Sequence, residues 1–486
     1  MDANREVCRE RNSVTRRTAR RKIARRAFEA LTGAAIAIPA TLWHVPAVAQ
    51  GTVTLPTFAA CTPASQPELP KRWRAVALMS PFLQGQLDVG EFVYDGALPA
   101  MRASVYGLES GAVDLLITET KTFLLSGPHR SPTGCMSIDH KFNLPSAQWL
   151  SGQAVCVGDA NVDATPVQWW KTSGSGSQAH WYWFKKETRL PWRSLFLTRS
   201  PDPAIIGDYA MTNFPTFAEL PETSLASLRE FCVAQNKSGP PEAASAQTAR
   251  ALMASRNEDA DAERLERIAT LIPGLSHHRC SHAQTARWPD RFVVTAFLTP
   301  ISFGDDPYAS LILYDWSETA SQFAVMFQNT PSALKAVVAL KKNVGYRIYP
   351  HQSAPQCEAV YPGLVRPDWM KVASCQCKGV IDHNPALSAN DVTQILSCPI
   401  KWQQDRIMWS WYTTKDRPVM FVEAGATGEG GVMLADYAHW LPGEKITPKN
   451  FDLPGQCVAP DKAIRPPGHG DNLANASCSD CHTTPW

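Results

Sequence analysis

The sequence predicts an all-β protein made of two tandem antiparallel repeats of the sandwich or half-barrel type, with a short helical linker and a coil C-terminal tail. Two observations predict this fold. Short segments rich in β-branched and aromatic residues, such as RWRAVALM and VDLLITE, are separated by turn residues about every 8–12 positions. The same order of segments then occurs a second time along the chain.

Residues 1–49 are predicted to be a cleavable export signal. Nine arginines lie in the first 26 residues, a mildly apolar run follows, and Ala47-Val48-Ala49 has the small-x-small pattern of a cleavage site. Arg25-Arg26-Ala27-Phe28 fits the core of a twin-arginine signal, but Glu29 stands where that pattern prefers an apolar residue. The sequence therefore predicts a periplasmic location and leaves the twin-arginine and general secretory routes open.

The two β repeats are predicted over residues 50–233 and 276–458. The segment VALMSPFLQGQLDVGEFVYDG parallels TAFLTPISFGDDPYASLILYDW, and HWYWFKKETRLPWRSLF parallels MWSWYTTKDRPVMFVEA. The matched positions lie between 219 and 228 residues apart. They are Pro81 with Pro300, Tyr94 with Tyr314, Trp181 with Trp409, Trp183 with Trp411, and Asp208-Tyr209-Ala210 with Asp436-Tyr437-Ala438.

The cysteines follow the same repeat. Thirteen cysteines are typical of an oxidising compartment, and ten remain once Cys8 and the tail pair Cys478 and Cys481 are set aside. These disulfide candidates are Cys61, Cys135, Cys156, Cys232, Cys280, Cys357, Cys375, Cys377, Cys398 and Cys457. Cys156 corresponds to Cys375 or to Cys377, and the one left over is expected to pair with Cys398. The pairing inside each repeat is not determined by the sequence.

Aromatic residues alternate along one strand of each repeat. In HWYWF and MWSWY the alternate tryptophans are predicted to share one face of a strand. Two interpretations remain open for this layer: packing in the core, or the wall of an apolar ligand cavity.

Residues 234–275 are predicted to form the linker. SGPP opens it, and its Ala, Glu, Arg and Leu content favours a helix from about residue 243 to residue 272. Leu265, Ile268 and Ile272 recur at helical spacing, so this face is expected to pack on a repeat.

The order of features within each copy resembles that of the ependymin-related proteins. An early cysteine is followed by Tyr94-Asp95 at a strand end, the strand DLLITETKTFLL, a cysteine, a tryptophan-rich strand and a close of the form F…LP…C. The close runs from Phe217 through Leu220-Pro221 to Cys232 in the first copy, and from Phe451 through Leu453-Pro454 to Cys457 in the second. Such proteins resemble LolA-like half-barrels that bind hydrophobic or lipid ligands, so the resemblance implies a curved sheet with an apolar concavity and no catalytic residues. Duplication and the tail motif depart from that pattern, which leaves the ligand class open.

The tail, residues 459–486, carries the most specific chemical signal. Cys478-Ser-Asp-Cys481-His482 has the Cys-x-x-Cys-His form by which one haem c is attached, with two thioether anchors and His482 as the proximal iron ligand. A disulfide beside a coincidental histidine is the competing interpretation. Only four residues follow, so no cytochrome domain is expected after the motif. A sixth ligand is then sought upstream, first at His469 and next at His439 or Met433.

The leading functional prediction is an exported haem protein for electron transfer or redox sensing, with an unidentified redox partner and with the repeats as a docking or hydrophobic-ligand-binding body. A formal net charge of +2 gives no basis for a nucleic-acid partner, and no segment of the mature chain is long and apolar enough to span a bilayer. No catalytic residue is predicted. One alternative is a haem-dependent oxidoreductase acting on an apolar substrate. The other is a lipid-binding tandem half-barrel without haem.

Overall fold

The computed structural model confirms an all-β protein with two antiparallel sheets. The residues that it describes are 58–81, 85–109, 111–138, 144–145, 150, 154–162, 165–173, 179–195, 210–223, 225–236, 258–276, 279–280, 287–300, 307–316, 321–327, 336–340, 344–349, 356–360, 367–372, 374–382, 392–399, 407–413, 418–424, 432–442 and 446.

The first sheet has eleven strands in the order β6-β5-β4-β3-β2-β1-β11-β10-β9-β8-β7. Its strands are β1 Arg72–Pro81, β2 Asp88–Asp95, β3 Ala100–Gly107, β4 Ala112–Thr118, β5 Thr122–Ser126, β6 Gly134–Ile138, β7 Ala154–Val162, β8 Thr165–Ser173, β9 Ala179–Lys185, β10 Pro191–Leu195 and β11 Ala210–Glu219.

The second sheet has twelve strands in the order β12-β19-β20-β21-β22-β23-β13-β14-β15-β16-β17-β18. Its strands are β12 Leu275–Ser276, β13 Arg291–Pro300, β14 Tyr308–Trp316, β15 Ser321–Phe327, β16 Ala336–Leu340, β17 Val344–Tyr349, β18 Gln356–Val360, β19 Gln376–Ile381, β20 Thr393–Pro399, β21 Ile407–Thr413, β22 Pro418–Ala424 and β23 Val432–Pro442. Three described helices accompany the sheets: α1 Leu225–Gln235, α2 Glu258–Leu271 and α3 Trp369–Val372.

The two sheets have the same topology. Strands β13 to β23 follow one another across the second sheet in the arrangement that β1 to β11 have in the first, with β12 added at the edge beside β19. The duplication seen in the sequence is therefore a duplication of the whole sheet.

Strand register corrects one of the matched pairs. Pro81 pairs with Ala210 in the first sheet, whereas its equivalent Pro300 pairs with Met433 in the second. Following the same ladders, Leu78 lies opposite Asn213 and its equivalent Phe297 lies opposite Asp436. The structural equivalent of Asp436 is therefore Asn213. The match between the two Asp-Tyr-Ala stretches was wrong, because the strand β11 begins two residues after Asp208.

Disulfide bonds are present, as the sequence predicts. Among the described residues the bonds are Cys61–Cys156, Cys135–Cys232, Cys280–Cys377 and Cys375–Cys398. Cys156 and Cys377 each precede a register shift at the same place in β7 and β19, so Cys377 is the counterpart of Cys156. Cys375 then pairs with Cys398 across β19 and β20. Cys457 lies outside the described residues.

A tryptophan-rich core joins the two repeats. Trp181 and Trp183 of β9 pack in one cluster with Trp409 and Trp411 of β21, and all four side chains are fully buried. The Trp169 and Trp183 rings meet edge to face with their centroids 5.0 Å apart. The indole nitrogen of Trp409 donates a hydrogen bond to the carbonyl oxygen of Pro81, at 2.9 Å, across the two repeats. The alternating tryptophans share one face of each strand as predicted, and they pack against each other in the core between the repeats.

The linker helix α2 also enters this core, with a correction to its predicted face. Ile268, Leu271 and Ile272 are buried in the shared cluster, but Leu265 is 40% exposed. Arg264 takes the place next to Ile268 on the buried face, and its guanidinium donates to the carbonyl oxygens of Gly107 and Leu108. The predicted helical segment before residue 258 lies outside the described residues.

Helix α1 was not predicted. It packs Leu225 and Cys232 against Leu116 and Phe123 of the first sheet, and the Cys135–Cys232 disulfide ties it to the edge strand β6. Among the described residues, none of the helices is long and apolar enough to cross a membrane.

Candidate functional site

A row of polar side chains crosses three strands of the first sheet. Glu91 of β2 lies opposite Ser104 of β3, and Ser104 lies opposite Asp114 of β4. Residues directly opposite each other in a ladder share one face of the sheet. The Ser104 hydroxyl donates a hydrogen bond to Asp114 Oδ1 at 2.8 Å, which joins two members of the row.

The row lies on the face of the sheet that packs on the second repeat. Val76 and Val89, the neighbours of Glu91 across and along the strands, belong to the core shared by the two repeats. Leu116, two residues beyond Asp114, packs instead under helix α1. The polar row is therefore placed between apolar surfaces on both sides.

His129 bridges the two carboxylates of the row. Its Nε2 lies 3.4 Å from Glu91 Oε2, and its Nδ1 lies 3.5 Å from Asp114 Oδ2. The hydroxyl of Tyr106, two residues beyond Ser104 on the same face, lies 3.0 Å from Nδ1. The His129 side chain keeps 19% of its surface exposed, so solvent reaches the cluster although Glu91 beneath it is buried.

Three arginines surround the carboxylates. Arg102 Nε donates to Asp114 Oδ1 at 3.0 Å, and its Nη2 also contacts Asp114 and the backbone oxygen of His129. Arg74 Nε donates to Glu91 Oε1 at 2.8 Å. Arg267, which helix α2 brings to the cluster from far along the chain, donates to Glu91 Oε2. We name this set, Arg74, Glu91, Arg102, Ser104, Tyr106, Asp114, His129 and Arg267, the His129 cluster.

Electrostatics keep both carboxyl groups of the His129 cluster ionised. Burial raises the pKa of Glu91, but hydrogen bonds and positive charge from Arg267 and Arg74 outweigh it and leave that pKa below its ordinary value. Burial likewise raises the pKa of Asp114, and hydrogen bonds from His129 and Arg102 together with the charge of Arg102 bring it below the ordinary value.

The phenol of Tyr106 responds in the opposite direction. Burial, assisted by the negative charges of Asp114 and Glu91, raises its pKa to about 12. Tyr106 therefore remains a hydrogen-bond donor at neutral pH. Three arginines against two carboxylates give the cluster an excess of one positive charge even when His129 is neutral.

The second repeat builds the same positions from apolar residues. Val293 pairs with Leu313 in the second sheet as Arg74 pairs with Val93 in the first. Continuing across the second sheet, Leu311 lies opposite Met326, and Met326 lies opposite Ala336. These residues stand at the positions of Glu91, Ser104 and Asp114. The fold therefore does not require the charges, because the same three-strand row forms without them.

Sequence analysis missed the His129 cluster, although a signal was present. At offsets of 219 to 222 residues, the two copies place Arg74 against Val293, Glu91 against Leu311, Arg102 against Ala324, Ser104 against Met326 and Asp114 against Ala336. Charged residues in one copy opposite apolar residues in the other would have indicated the divergent face. Arg267 and His129 had no such signal, because a helix and a loop bring them to the sheet.

The residues predicted to bind haem, Cys478, Cys481, His482 and His469, lie outside the described residues. Two further sixth-ligand candidates are on β23, where Met433 pairs with Pro300 and His439 pairs with Thr295. Six residues of strand separate them by about 20 Å, so at most one of the two can reach a given iron. Within the described part of the chain, no group of three or more His, Cys, Asp or Glu residues is arranged to hold a metal ion.

The aspartates that follow the tyrosines at the strand ends have structural contacts. Asp95 accepts hydrogen bonds from Arg72 Nε at 3.1 Å and from the backbone nitrogen of Ala97 at 2.9 Å. In the second repeat, Arg291 Nε lies 3.2 Å from Asp315 Oδ2. The same ion pair therefore closes the same strand end in both repeats.

Comparison with known proteins gives solved structures alone. No protein-family model and no curated protein matches the chain. An uncharacterized conserved protein from Thermus thermophilus aligns at 15% identity with a TM-score of 0.23, over 36% of this chain and 90% of that one. A LolA superfamily protein from Nitrosomonas europaea aligns at 12% identity with a TM-score of 0.21, over 37% and 98%. MucB, in its complex with MucA from Pseudomonas aeruginosa, aligns at 12% identity with a TM-score of 0.21, over 59% and 86%.

The four described disulfides are characteristic of an exported protein. Disulfides persist in oxidising compartments and are rare in a reducing cytosol. The bonds Cys61–Cys156 and Cys280–Cys377 occupy equivalent places in the two repeats. Oxidation is therefore part of the architecture of both copies.

Proposed function

We propose that the chain is an exported, periplasmic binding protein for an amphipathic molecule with an anionic head group, and that the His129 cluster holds that head group. One observation carries the proposal: the first repeat has a partly exposed, charged cluster where the second repeat has Val293, Leu311, Ala324, Met326 and Ala336. Binding sites are typically apolar surfaces with a few convergent polar groups of perturbed pKa.

Charge determines the preferred head group. The arginines exceed the ionised carboxylates by one, so an anion neutralises the cluster and a cation does not. Arginine guanidinium groups bind phosphate and carboxylate oxygens with directed hydrogen bonds. Tyr106, held protonated, adds a neutral donor beside His129.

Apolar surface is available next to the head-group site. Val93 and Leu116 lie on the α1 side of the row, and Val89 lies on the side of the shared core. The acyl or alkyl part of a ligand lies against these side chains once its head group is held. This arrangement agrees with the hydrophobic-ligand function that the half-barrel resemblance implies.

The test compares two ligands that differ in their head group. Dodecyl phosphate should bind the exported full-length protein at least tenfold more tightly than dodecanol in titration calorimetry. Arg267→Gln and Arg74→Gln should each reduce that preference severalfold. Arg279→Gln, which removes an exposed arginine paired with Asp382, is the matched control and should leave it unchanged. Equal affinity of the wild-type protein for the two ligands would reject the proposal.

A second candidate function is favoured by the Cys478-Ser-Asp-Cys481-His482 motif. We propose that this tail carries one covalent haem c, which would add electron transfer or redox sensing to the binding body. Cys478 and Cys481 would anchor the group and His482 would ligate its iron. Reaction of the ferric form with cyanide would favour the oxidoreductase alternative, because it requires an open iron site.

The haem proposal is tested independently of ligand binding. Protein exported in a host with a c-type haem maturation system should give a pyridine haemochrome spectrum and an intact mass increased by one haem. A Cys478→Ala/Cys481→Ala variant should give neither. Absence of the adduct from the wild-type chain would remove haem from the function and leave the His129 cluster proposal unaffected.

A further inference from the structure

A second polar group is enclosed where the two repeats meet. Arg193 of β10 donates from Nη1 to Asp436 Oδ1 of β23, and from Nε to Asn213 Oδ1 of β11 at 2.9 Å. Its guanidinium carbon lies 4.6 Å from the centroid of the Trp192 ring and 5.5 Å from that of Trp183. The Arg193 and Asp436 side chains are 0% and 2% exposed. This ion pair therefore connects the repeats inside their shared core.

The hydrogen bonding of this group is incomplete. Arg193 Nη2, Asn213 Nδ2 and Asp436 Oδ2 are buried and have no partner within the described structure, and neither do the indole nitrogens of Trp183 and Trp192. Buried polar atoms in native proteins are nearly always paired with protein or with a bound molecule, because an unpaired one loses its hydration without compensation. Five such atoms on five neighbouring residues indicate a guest.

The unpaired atoms specify the chemistry of the guest. Four of the five are N–H donors, and the fifth is an oxygen of Asp436, whose pKa burial raises in spite of the charge of Arg193. An oxygen acceptor is therefore what the group lacks. The surrounding side chains in the shared cluster, including Met211, Phe297 and Met420, are apolar. A carbonyl oxygen on an apolar body matches both requirements.

The fold does not need an arginine here. Arg193 lies opposite Trp183 in the first repeat, and Met420 lies opposite the equivalent Trp411 in the second. Asn213 and Asp436 likewise occupy equivalent positions. Burying a guanidinium costs hydration that methionine at the same place does not lose. A binding role explains why one repeat carries the charge.

We propose that Arg193, Asn213 and Asp436, with the indoles of Trp183 and Trp192, form a second binding site between the repeats for the carbonyl group of an apolar ester. This site is separate from the His129 cluster. An uncharged ester does not use the excess positive charge there, so either proposal can fail without the other. Because the site is enclosed, binding requires the repeats to separate locally and is slow.

The experiment uses methyl octanoate labelled with ¹³C at its carbonyl, and nonane as the analogue without a carbonyl. The exported full-length protein should bind the ester at least tenfold more tightly than the alkane by tryptophan fluorescence. The infrared carbonyl band of the bound ester should shift to lower frequency than in hexane, as hydrogen bonding requires. Arg193→Met, which copies Met420, should abolish the preference, and Arg279→Gln should retain it.

Two results would overturn the proposal. One is equal affinity of the wild-type protein for ester and alkane, which would mean that ordered water alone satisfies the group. The other is a carbonyl band in the wild-type complex at its frequency in hexane. Both are measured without a variant, so they decide the question even if Arg193→Met does not fold. Asp436→Asn, which copies Asn213, is the second variant and should weaken the band shift.

Discussion

At the scale of single residues, charge is concentrated where the duplicated sheet did not need it. Glu91 and Asp114 are ionised because Arg74, Arg102 and Arg267 surround them, and burial alone would have had the opposite effect on their pKa values. Removing one partner of such a buried pair leaves the other charge without compensation. Stability and ligand binding therefore depend on the same side chains.

Glu91→Gln tests this dependence through pH. Because its pKa is lower in the folded state, the stabilisation by Glu91 is complete above the ordinary pKa of about 4.5 and is lost as pH falls through the folded-state pKa. The variant should lose about 1–3 kcal/mol of unfolding free energy at pH 7. Its stability should then change less than that of the wild type between pH 5 and pH 3.

Urea unfolding, followed by tryptophan fluorescence across this pH range, measures the effect. Glu230→Gln on the exposed surface of α1 is the control and should follow the wild-type pH profile. A Glu91→Gln profile parallel to that of the wild type would show that the arginines do not hold the carboxylate ionised.

At the scale of elements, each repeat is closed at one sheet edge by the segment that carries its first cysteine. Ala59 forms an antiparallel bridge with Asp159 of β7 beside the Cys61–Cys156 bond. In the second repeat, β12 pairs with β19 beside the Cys280–Cys377 bond. Unpaired strand edges promote aggregation, so a covalent bond at this position protects an edge as well as restricting the unfolded chain.

Loop length should order the contributions of the disulfides. Cys61→Ala/Cys156→Ala opens a loop with a sequence separation of 95 and should cost about 4–5 kcal/mol, whereas Cys375→Ala/Cys398→Ala opens one of 23 and should cost about 3 kcal/mol. Denaturant unfolding of the two double variants measures the difference. A larger loss for the shorter loop would contradict the chain-entropy explanation.

At the scale of the whole molecule, the two repeats share one core instead of packing as separate domains. Tryptophans from β9 and β21, helix α2 and the Arg193–Asp436 pair all lie in or across this contact. The ion pair between Lys378 and Glu109, at 3.0 Å, crosses it as well. Neither repeat can bury its tryptophan face alone.

Calorimetry should therefore show one cooperative unfolding transition for both repeats. Trp183→Ala should cost about 3–5 kcal/mol and divide the transition in two, because that ring belongs to the shared core. Trp73→Ala is the matched control, since it removes an equally large buried ring from a cluster confined to the first repeat. It should lower the midpoint and keep a single transition. Two transitions in the wild-type protein would show that the repeats unfold independently.

The sequence by itself determined the all-β class, the duplication, the presence of disulfides and the alternation of tryptophans on one strand face. These features depend on local periodicity and on spacings that recur, which a linear sequence displays directly. The same method was wrong for Asp208-Tyr209-Ala210, because three shared letters do not define a strand register. It also placed Leu265 on the packed face of a helix where Arg264 is buried instead.

Only the tertiary structure decided which cysteine is the counterpart of Cys156, that the tryptophan faces meet each other, and that Arg267 reaches Glu91. The two residues of that last contact are 176 positions apart and lie on a helix and a strand that pack face to face. Contacts of this kind depend on how complete sheets and helices fit together, and no local pattern encodes that fit. Both binding sites proposed for this chain arise at such contacts, because their charges become close neighbours only after the repeats and the linker helix have assembled.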